Sequence, residues 1–437
     1  MHSARPKVLH SIAGRSMLGH VLTTATGAGG SRVAVVVGPG MDEVAAEARR
    51  HVAGAEIFMQ SEQRGTAHAV LSARAAIAAH DGSVIVLFAD TPLFRPETLL
   101  AVERSLERAA VTVVGFEAAD PTGYGRLLRD AAGRLEAIRE HGEASEAERR
   151  ETLCNAGVMG FQSKHMLALL DGIDCLNTKA EFYLTDAVAK AHIAGLVTAT
   201  VTCPESDVLG VNSRDQLAAA EAIWQARRRR EVMLAGTTLI APEAVWLSHD
   251  TVIGRDVVIE PNVFFGPGVV VEDGVFIKAN SHIEGAHIAA GAIVGPFARL
   301  RPGADIGPNV HIGNFVEVKN ARMEEGAKAN HLSYIGDGRV GAGANIGAGT
   351  IFCNYDGFFK HHTDVGKGAF IGSNSSLVAP VKIGDGAFVG SGSVITKDVT
   401  ADALAVERSD QVERPGWAAK FRSMMLRRKK DRDLQEK

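Results

Sequence analysis

Asp90 closes the most apolar run in the chain, Ser83-Val-Ile-Val-Leu-Phe-Ala-Asp90. A carboxylate at the carboxyl end of a buried strand is where open α/β sheets place ligands, and its hard oxygens suit Mg²⁺ beside a phosphate. An Asp that caps the turn before Pro92 accounts for the same residue equally well. Gln60-Ser-Glu-Gln-Arg-Gly-Thr66 leads into an Ala-rich helical stretch, so its amides could meet a base, a sugar or a phosphate. As a lone pattern it is weak. His331 stands where a regular repeat is interrupted, on or beside an expected loop. The ordinary pKa of its imidazole suits a general base at neutral pH, although a single His is more often structural.

These residues fall in two differently built regions. Before residue 215, buried-type strands (Arg32–Gly38, Ser83–Asp90) alternate with helical stretches (Thr66–His80, Pro96–Arg108). That alternation predicts an α/β domain with a mostly parallel sheet. From Ile253 to Ile395 an aliphatic or Phe residue recurs at every sixth position, and Gly often follows it, as at Gly307, Gly313, Gly366 and Gly372. A period of six fits neither helix nor single strand and predicts short strands joined by tight turns. Three rungs to a coil make a triangular parallel β-helix of roughly eight coils, whose flat faces call for a homo-oligomer. Asp215–Ala235 reads as a connecting helix whose Arg227–Arg230 run is a solvated face. The expected boundaries are 1–214, a linker at 215–236, the β-helix at 237–409, and a charged, solvated, partly disordered tail at 410–437. Trp417 is expected to cover the end of the prism rather than to touch the coenzyme of a neighbour, the alternative its position also allows.

Composition narrows the class. The 437 residues are too many for one core, and a net charge of −4 gives no nucleic-acid footprint. The four cysteines are widely spaced, without a zinc or disulfide pattern. No apolar stretch predicts stable membrane insertion, and the opening residues have no signal-peptide core, so a cytoplasmic protein is expected.

Longer motifs carry a resemblance over nearly the whole chain. Pro6-Lys-Val-Leu-His10, Gln60–Ala67, Asp90, Asp120-Pro-Thr-Gly-Tyr-Gly-Arg126, Glu140-His141, Asn155-Ala-Gly157 and Gly210-Val-Asn-Ser-Arg214 resemble the uridylyltransferase half of the bifunctional bacterial family that makes UDP-N-acetylglucosamine. Gly295–Gly303, Gly313–Lys319, His331-Leu-Ser-Tyr334 and Asn345–Gly357 resemble its acetyltransferase half. The resemblance implies a nucleotidyltransferase domain followed by a left-handed parallel β-helix. It also implies acetyl transfer from acetyl-CoA to glucosamine 1-phosphate, then uridylyl transfer from UTP to N-acetylglucosamine 1-phosphate, in a homotrimer using Mg²⁺. Carried over by position, His331 is the catalytic base, and Arg301, Lys319, Tyr334 and Asn345 bind the amino sugar phosphate. Ala348, Asn354, Tyr355, Ser373, Ser391 and Arg408 line the acetyl-CoA path; Ser391 stands where the family often has Ala. Lys7, Gln60, Gly65, Thr66, Gly125, Glu140, Asn155 and Asn212 bind the nucleotide sugar, with Asp90 and Asn212 as Mg²⁺ ligands.

Two departures bear on the first half. Phe88-Ala-Asp90 replaces the family's Tyr-Gly-Asp, keeping the ligand. The family's opening strand and Gly-rich loop L-A-A-G-x-G-T-R-M are represented only by Met1, which fits an internal methionine of that loop taken as a start. A chain beginning there is expected to keep acetyl transfer and to lose most uridylyl transfer. Rival readings are a zinc prism using three of His282, His287, His311, His331, His361 and His362, and a non-catalytic homologue whose prism only assembles subunits.

Overall fold

The computed structural model describes residues 1–177 and 179–435. It divides into two compact units, Met1–Thr251 with Phe264–Gly268, and Val252–Val263 with Val269–Lys437.

The first unit is α/β. Strand Val111–Glu117 pairs in parallel with Thr198–Thr202, and the ten-residue strand Leu153–Gln162 pairs antiparallel with both Val111–Glu117 and Ser83–Val86. The sheet is therefore mixed, with one long strand running against its neighbours, where the sequence predicted a mostly parallel one. Ala34–Val37 and Glu56–Met59 form a separate two-stranded parallel sheet. The core beneath the main sheet includes Val111, Val113, Met159, Phe161, Met166 and Leu170. Each such side chain taken fully from water stabilises by about 1.5–3 kcal/mol. The predicted 66–80 helix is two, Thr66–Ser72 and Arg74–Ala78; at Ala73 the amide bonds back to Val70 and ends the first.

Helix Arg214–Leu234 opens with a complete Ser213/Gln216 capping box, which satisfies two of the amide donors a helix start leaves open. It is no free linker. Ala220, Leu217, Ile223 and Trp224 pack with Ile12, Met17, Leu93 and Val211 inside the first unit. Nor are Arg227, Arg228 and Arg229 a solvated face, although Arg230 is exposed. Arg227 Nη2 lies 2.5 Å from the fully buried carboxylate of Asp207, whose other oxygen is 3.1 Å from Arg95 Nε. Arg228 and Arg229 donate to the carbonyls of Thr251, Glu243 and Val245. A buried carboxylate must be matched by cations, and loop carbonyls without strand partners take the remaining donors.

The second unit is a parallel β-helix. Nine short strands, from Val258–Ile259 to Leu404–Ala405, pair in chain order in one sheet, about one coil more than the repeat length predicts. The inward residues, such as Ile277, Val294, Ile312, Ile346, Ile371 and Val389, are buried. Two other faces merge where Glu317–Met323 and Tyr334–Val340 run through a corner as seven-residue strands. Past Arg408 the chain is exposed, and the expected disordered tail is helical over Trp417–Gln435. Trp417 there stacks on Phe421 at 5.1 Å and covers no prism end; the final residues Glu436 and Lys437 lie outside the described part.

Candidate functional site

Each unit holds its own cluster. In the first, Lys7 comes from a short 3-10 turn, Asp90 from beyond strand Ser83–Val86, and Asn212 from just before the Ser213 cap. Lys7 Nζ is 2.6 Å from Asp90 Oδ2 and 2.7 Å from Asn212 Oδ1. The amide of Val211 donates to the Asp90 carbonyl at 2.9 Å and fixes the two segments side by side. A carboxylate oxygen and a carboxamide oxygen thus converge on one cation. Hard oxygen donors of this kind fit Mg²⁺ as well as an ammonium.

A cavity of about 330 Å³ in the same unit is lined by Thr66, Phe88, Glu140, Asn155, Tyr183 and Thr185 among others. Thr185 Oγ1 donates to Glu140 at 3.2 Å, the Gly157 amide donates to Asn155 Oδ1, and Thr66 Oγ1 accepts from the Leu184 amide. Gly125 lies behind the lining, its carbonyl accepting from the Asn155 amide at 2.8 Å. Gly65 has φ of 112°, and a Cβ there would come within 2.5 Å of the Phe182 carbonyl oxygen, so only glycine fits. Gln60 donates to the Gly65 carbonyl, bracing the turn rather than lining the cavity. Phe88, the departure from the family's Tyr, lines the cavity and lies against Gly157. Gln60, Gly65, Gly125 and the Lys7–Asp90–Asn212 cluster are outside the lining; Thr66, Glu140 and Asn155 are in it.

In the second unit, His331 ends strand Lys328–His331 and pairs in register with Asn314 one coil earlier. It is not on a protruding loop. The six-residue count slips because coils here are one residue shorter: residues at the same corner, Phe297, Phe315, Leu332 and Gly349, are spaced 18, 17 and 17 apart and all have positive φ. His331 Nδ1 lies 2.6 Å from Asn314 Oδ1. A carboxamide oxygen only accepts, so Nδ1 carries the hydrogen and Nε2 keeps its lone pair.

The same corner continues upward by backbone bonds, from the His331 carbonyl to Gly349, Ala348 to Asn374, and Ser373 to Gly392, and Arg408 donates to the Ser391 carbonyl at 2.6 Å. The residue in the left-handed position is bulky and exposed below His331 (Phe297, Phe315, Leu332) and small or polar above it (Gly349, Asn374, Gly392). Phe297 and Phe315 stack at 5.2 Å. The corner is therefore a filled ridge up to the histidine and an open track beyond it.

Beside this track lies a network of charge. Lys319 Nζ is 3.7 Å from Asp337, which also accepts from Asn320 at 2.7 Å and from Asn354; Asn354 reaches the Tyr334 hydroxyl at 3.5 Å. Arg301 Nη1 lies 2.9 Å from Glu317, which holds the guanidinium above its usual pKa, and its buried Nε has no partner among the described residues. Lys360 stands against Lys319, and the neighbouring ammonium pushes its pKa down. Two lysines and an arginine with an open donor suit a phosphate dianion. Asn345 is on an adjoining face, paired with Lys328 and Phe370, outside this network. Tyr355 begins the one true insertion in the coil, pairing with Lys360 across a turn closed by Asp356 and His361 at 2.6 Å. Sequence reading missed Asn314, Glu317, Asp337 and Lys360. Lys360 was the most findable, six residues past Asn354 within the broken repeat. Within one chain, no three His, Cys, Asp or Glu side chains among the described residues converge to hold a metal.

Comparison with known proteins agrees with this division. The family model of the MobA-like NTP transferase domain matches residues 1–152, and that of the bacterial transferase hexapeptide matches 250–285, 285–320 and 362–397. The chain is similar to the bifunctional protein GlmU of Bradyrhizobium sp. (strain ORS 278), 55% identical over 431 residues, covering 98% of this chain and 96% of the relative. It is likewise similar to those of Azorhizobium caulinodans, 58% identical over 97% of this chain and 94% of the relative, and Parvibaculum lavamentivorans, 58% identical over 98% and 95%.

Proposed function

Because the chain belongs to the family of bifunctional GlmU proteins, with both a nucleotidyltransferase unit and a left-handed hexapeptide β-helix, we propose that each of its two clusters carries one of the family's two reactions. The chain is a glucosamine-1-phosphate N-acetyltransferase and a UDP-N-acetylglucosamine uridylyltransferase, both activities together in place of the expected loss of uridylyl transfer. The observation that carries the assignment of the first reaction is the His331–Asn314 pair at the point where the corner opens into a track.

For acetyl transfer, Arg301, Lys319 and Lys360 hold the phosphate of glucosamine 1-phosphate, and Tyr334, with Asn345 from the adjoining face, its sugar, while Asn354 stands on the coenzyme side beside the Tyr334 hydroxyl. Acetyl-CoA runs along Ala348, Ser373, Ser391 and Arg408, with Tyr355 beside it. His331 Nε2 takes the proton of the ammonium group, the freed amine attacks the thioester carbonyl, and the coenzyme leaves as the thiol. Asn314 keeps the ring in the tautomer that can accept.

For uridylyl transfer, the phosphate of N-acetylglucosamine 1-phosphate attacks the α-phosphorus of UTP and pyrophosphate leaves, so the protein's part is to position and to neutralise charge. Thr66, Glu140 and Asn155 line the nucleotide-sugar cavity, and Gln60, Gly65 and Gly125 hold its walls in place. Asp90 and Asn212 fit a Mg²⁺ ion, whose charge would offset that of the phosphates. Lys7, freed from these two oxygens, turns to a phosphate.

The exposed ladder Phe297–Phe315–Leu332 supports a homotrimer in which a neighbour covers it. Four free cysteines suit the cytoplasm, where both co-substrates are found. Supplying glucosamine 1-phosphate and UTP with or without acetyl-CoA tests the order. Pyrophosphate should appear only after free coenzyme A does; release without acetyl-CoA would overturn it.

A further inference from the structure

Arg126 opens strand Arg126–Arg129 and is buried to 1% exposure. A buried guanidinium ordinarily faces a carboxylate, as Arg227 faces Asp207. Arg126 meets neutral acceptors instead: the carbonyl of Tyr124, the carbonyl of Arg149 at 3.5 Å, and Nδ1 of His141 at 3.3 Å, with Nε unpartnered among the described residues. A guanidinium only donates, so Nδ1 of His141 accepts and the ring hydrogen sits on Nε2. The imidazole is left with a donor to offer and no lone pair.

His141 is half-buried and lines the cavity of about 330 Å³ in the first unit. Its charged neighbours there are mostly of one sign, Glu140, Glu143 and Glu181 against Lys179. Carboxylates accept from hydroxyls and repel phosphates, so the cavity suits the sugar of a nucleotide sugar, with the phosphates at the Lys7–Asp90–Asn212 cluster outside the lining. A sugar hydroxyl donates as well as accepts and can serve a carboxylate. An acetamido carbonyl only accepts and needs a donor.

We propose that His141 Nε2–H donates to the acetamido carbonyl of the N-acetylglucosamine moiety and so selects the acetylated sugar, with Arg126 as the positioning residue that holds the ring in that tautomer. The proposal rests on the assignment of this cavity to the nucleotide sugar. A C2 hydroxyl ends two bonds short of the acetamido oxygen and forfeits the contact. An unacetylated amino sugar brings an ammonium, which faces an N–H without a lone pair and the Arg126 cation behind it.

Equilibrium titration of the full chain with UDP-N-acetylglucosamine, UDP-glucose and UDP tests this. His141→Leu should weaken UDP-N-acetylglucosamine about tenfold and leave UDP-glucose and UDP unchanged, which also shows that the unit is folded. His141→Gln, whose amide can accept from Arg126 and donate to the ligand, should keep the preference. Arg126→Met should lower the ratio of the two sugar affinities, and adding His141→Leu to it should lower the ratio no further. The ratio is the readout, because general loosening of the unit weakens both sugars alike. In turnover, His141→Leu should raise KM for N-acetylglucosamine 1-phosphate about tenfold with kcat little altered. An unchanged ratio in His141→Leu, a Gln variant no better than Leu, or additive losses in the double variant would overturn the proposal. Parent chain that binds UDP without preferring the acetylated sugar overturns it too, whereas parent chain that binds none of the three refutes the assignment of the cavity itself.

Discussion

The two clusters are assembled in opposite ways. Asp90 and Asn212 lie 83 and 205 residues from Lys7, and the three meet only because the sheet ends and the capped helix bring them together. In the β-helix the same work is done by periodicity: His331, Ala348, Ser373 and Ser391 sit at one corner on successive coils, and short-range repetition alone lines them up. A convergent site depends on its whole unit, whereas a repeated one depends on its neighbouring coils.

If the clusters are independent, damage to one must leave the other working. His331→Ala should lower acetyl transfer by about 10²–10⁴-fold, followed as coenzyme A thiol release, with pyrophosphate release from UTP and N-acetylglucosamine 1-phosphate unchanged. Asp90→Ala should do the reverse, cutting pyrophosphate release by roughly 10²-fold or more and leaving thiol release alone. A parallel loss of both activities in either variant would break the contrast.

Stability sharpens it. Arg227→Met strips the buried Asp207 of its closest cation and should cost about 3–5 kcal/mol. Calorimetry should show the loss in the first unit's transition, with the β-helix transition in place. Acid should separate the units too. His20, buried with its Nε2 bonded to the Ile12 carbonyl, is pushed down to about 4 by burial. The unfolded chain then binds the extra proton first, so this group's contribution to the first unit is full above pH 6.5 and falls between 6.5 and about 4, by on the order of 3 kcal/mol. His287 has the opposite sense. The hydrogen bonds it donates to Asp305 and Glu272 raise its pKa, so its stabilisation of the β-helix is full below 6.5 and fades as pH climbs through the raised value. That pair is well exposed and contributes under about 1 kcal/mol. Acidification from pH 7 to about 5 should lower only the first transition. Among the activities the smallest effect is expected at Lys360, where Ala should raise KM for glucosamine 1-phosphate about tenfold with kcat little altered, since the contact holds the phosphate and not the reacting amine.

What the sequence disclosed follows the same divide. The β-helix was legible to the residue because its inward side chains repeat along the chain, and His331 was findable as a break in that count. The break itself misled: a missing residue in a tight coil and an inserted loop look alike as a lost register, yet 314–349 is a shortened pair of coils and 354–361 a true excursion. In the first unit, Asp90 could be suspected from its strand, but its meeting with Lys7 and Asn212 is a tertiary fact with no local signature. The Arg227–Arg230 run looked solvated because nothing near it in sequence announces Asp207 or the carbonyls it binds. The terminal helix was missed because charged residues dominate it and no apolar spacing runs along it.

The shortened coils also set the rules by which this chain can be lengthened or trimmed. Where successive corners are 18 residues apart, a whole coil can be added or removed and every face above it keeps its heading, with only its height changed. Between Asn314 and Gly349 the spacing is 17, and the strands pass straight through a corner that is turned elsewhere. Steps of 17 and 16 also occur at Val271–Ile288 and Val389–Ala405, but an 18-residue edit between Asn314 and Gly349 would turn the coenzyme track away from the histidine while leaving the prism intact, so there the length is set by chemistry.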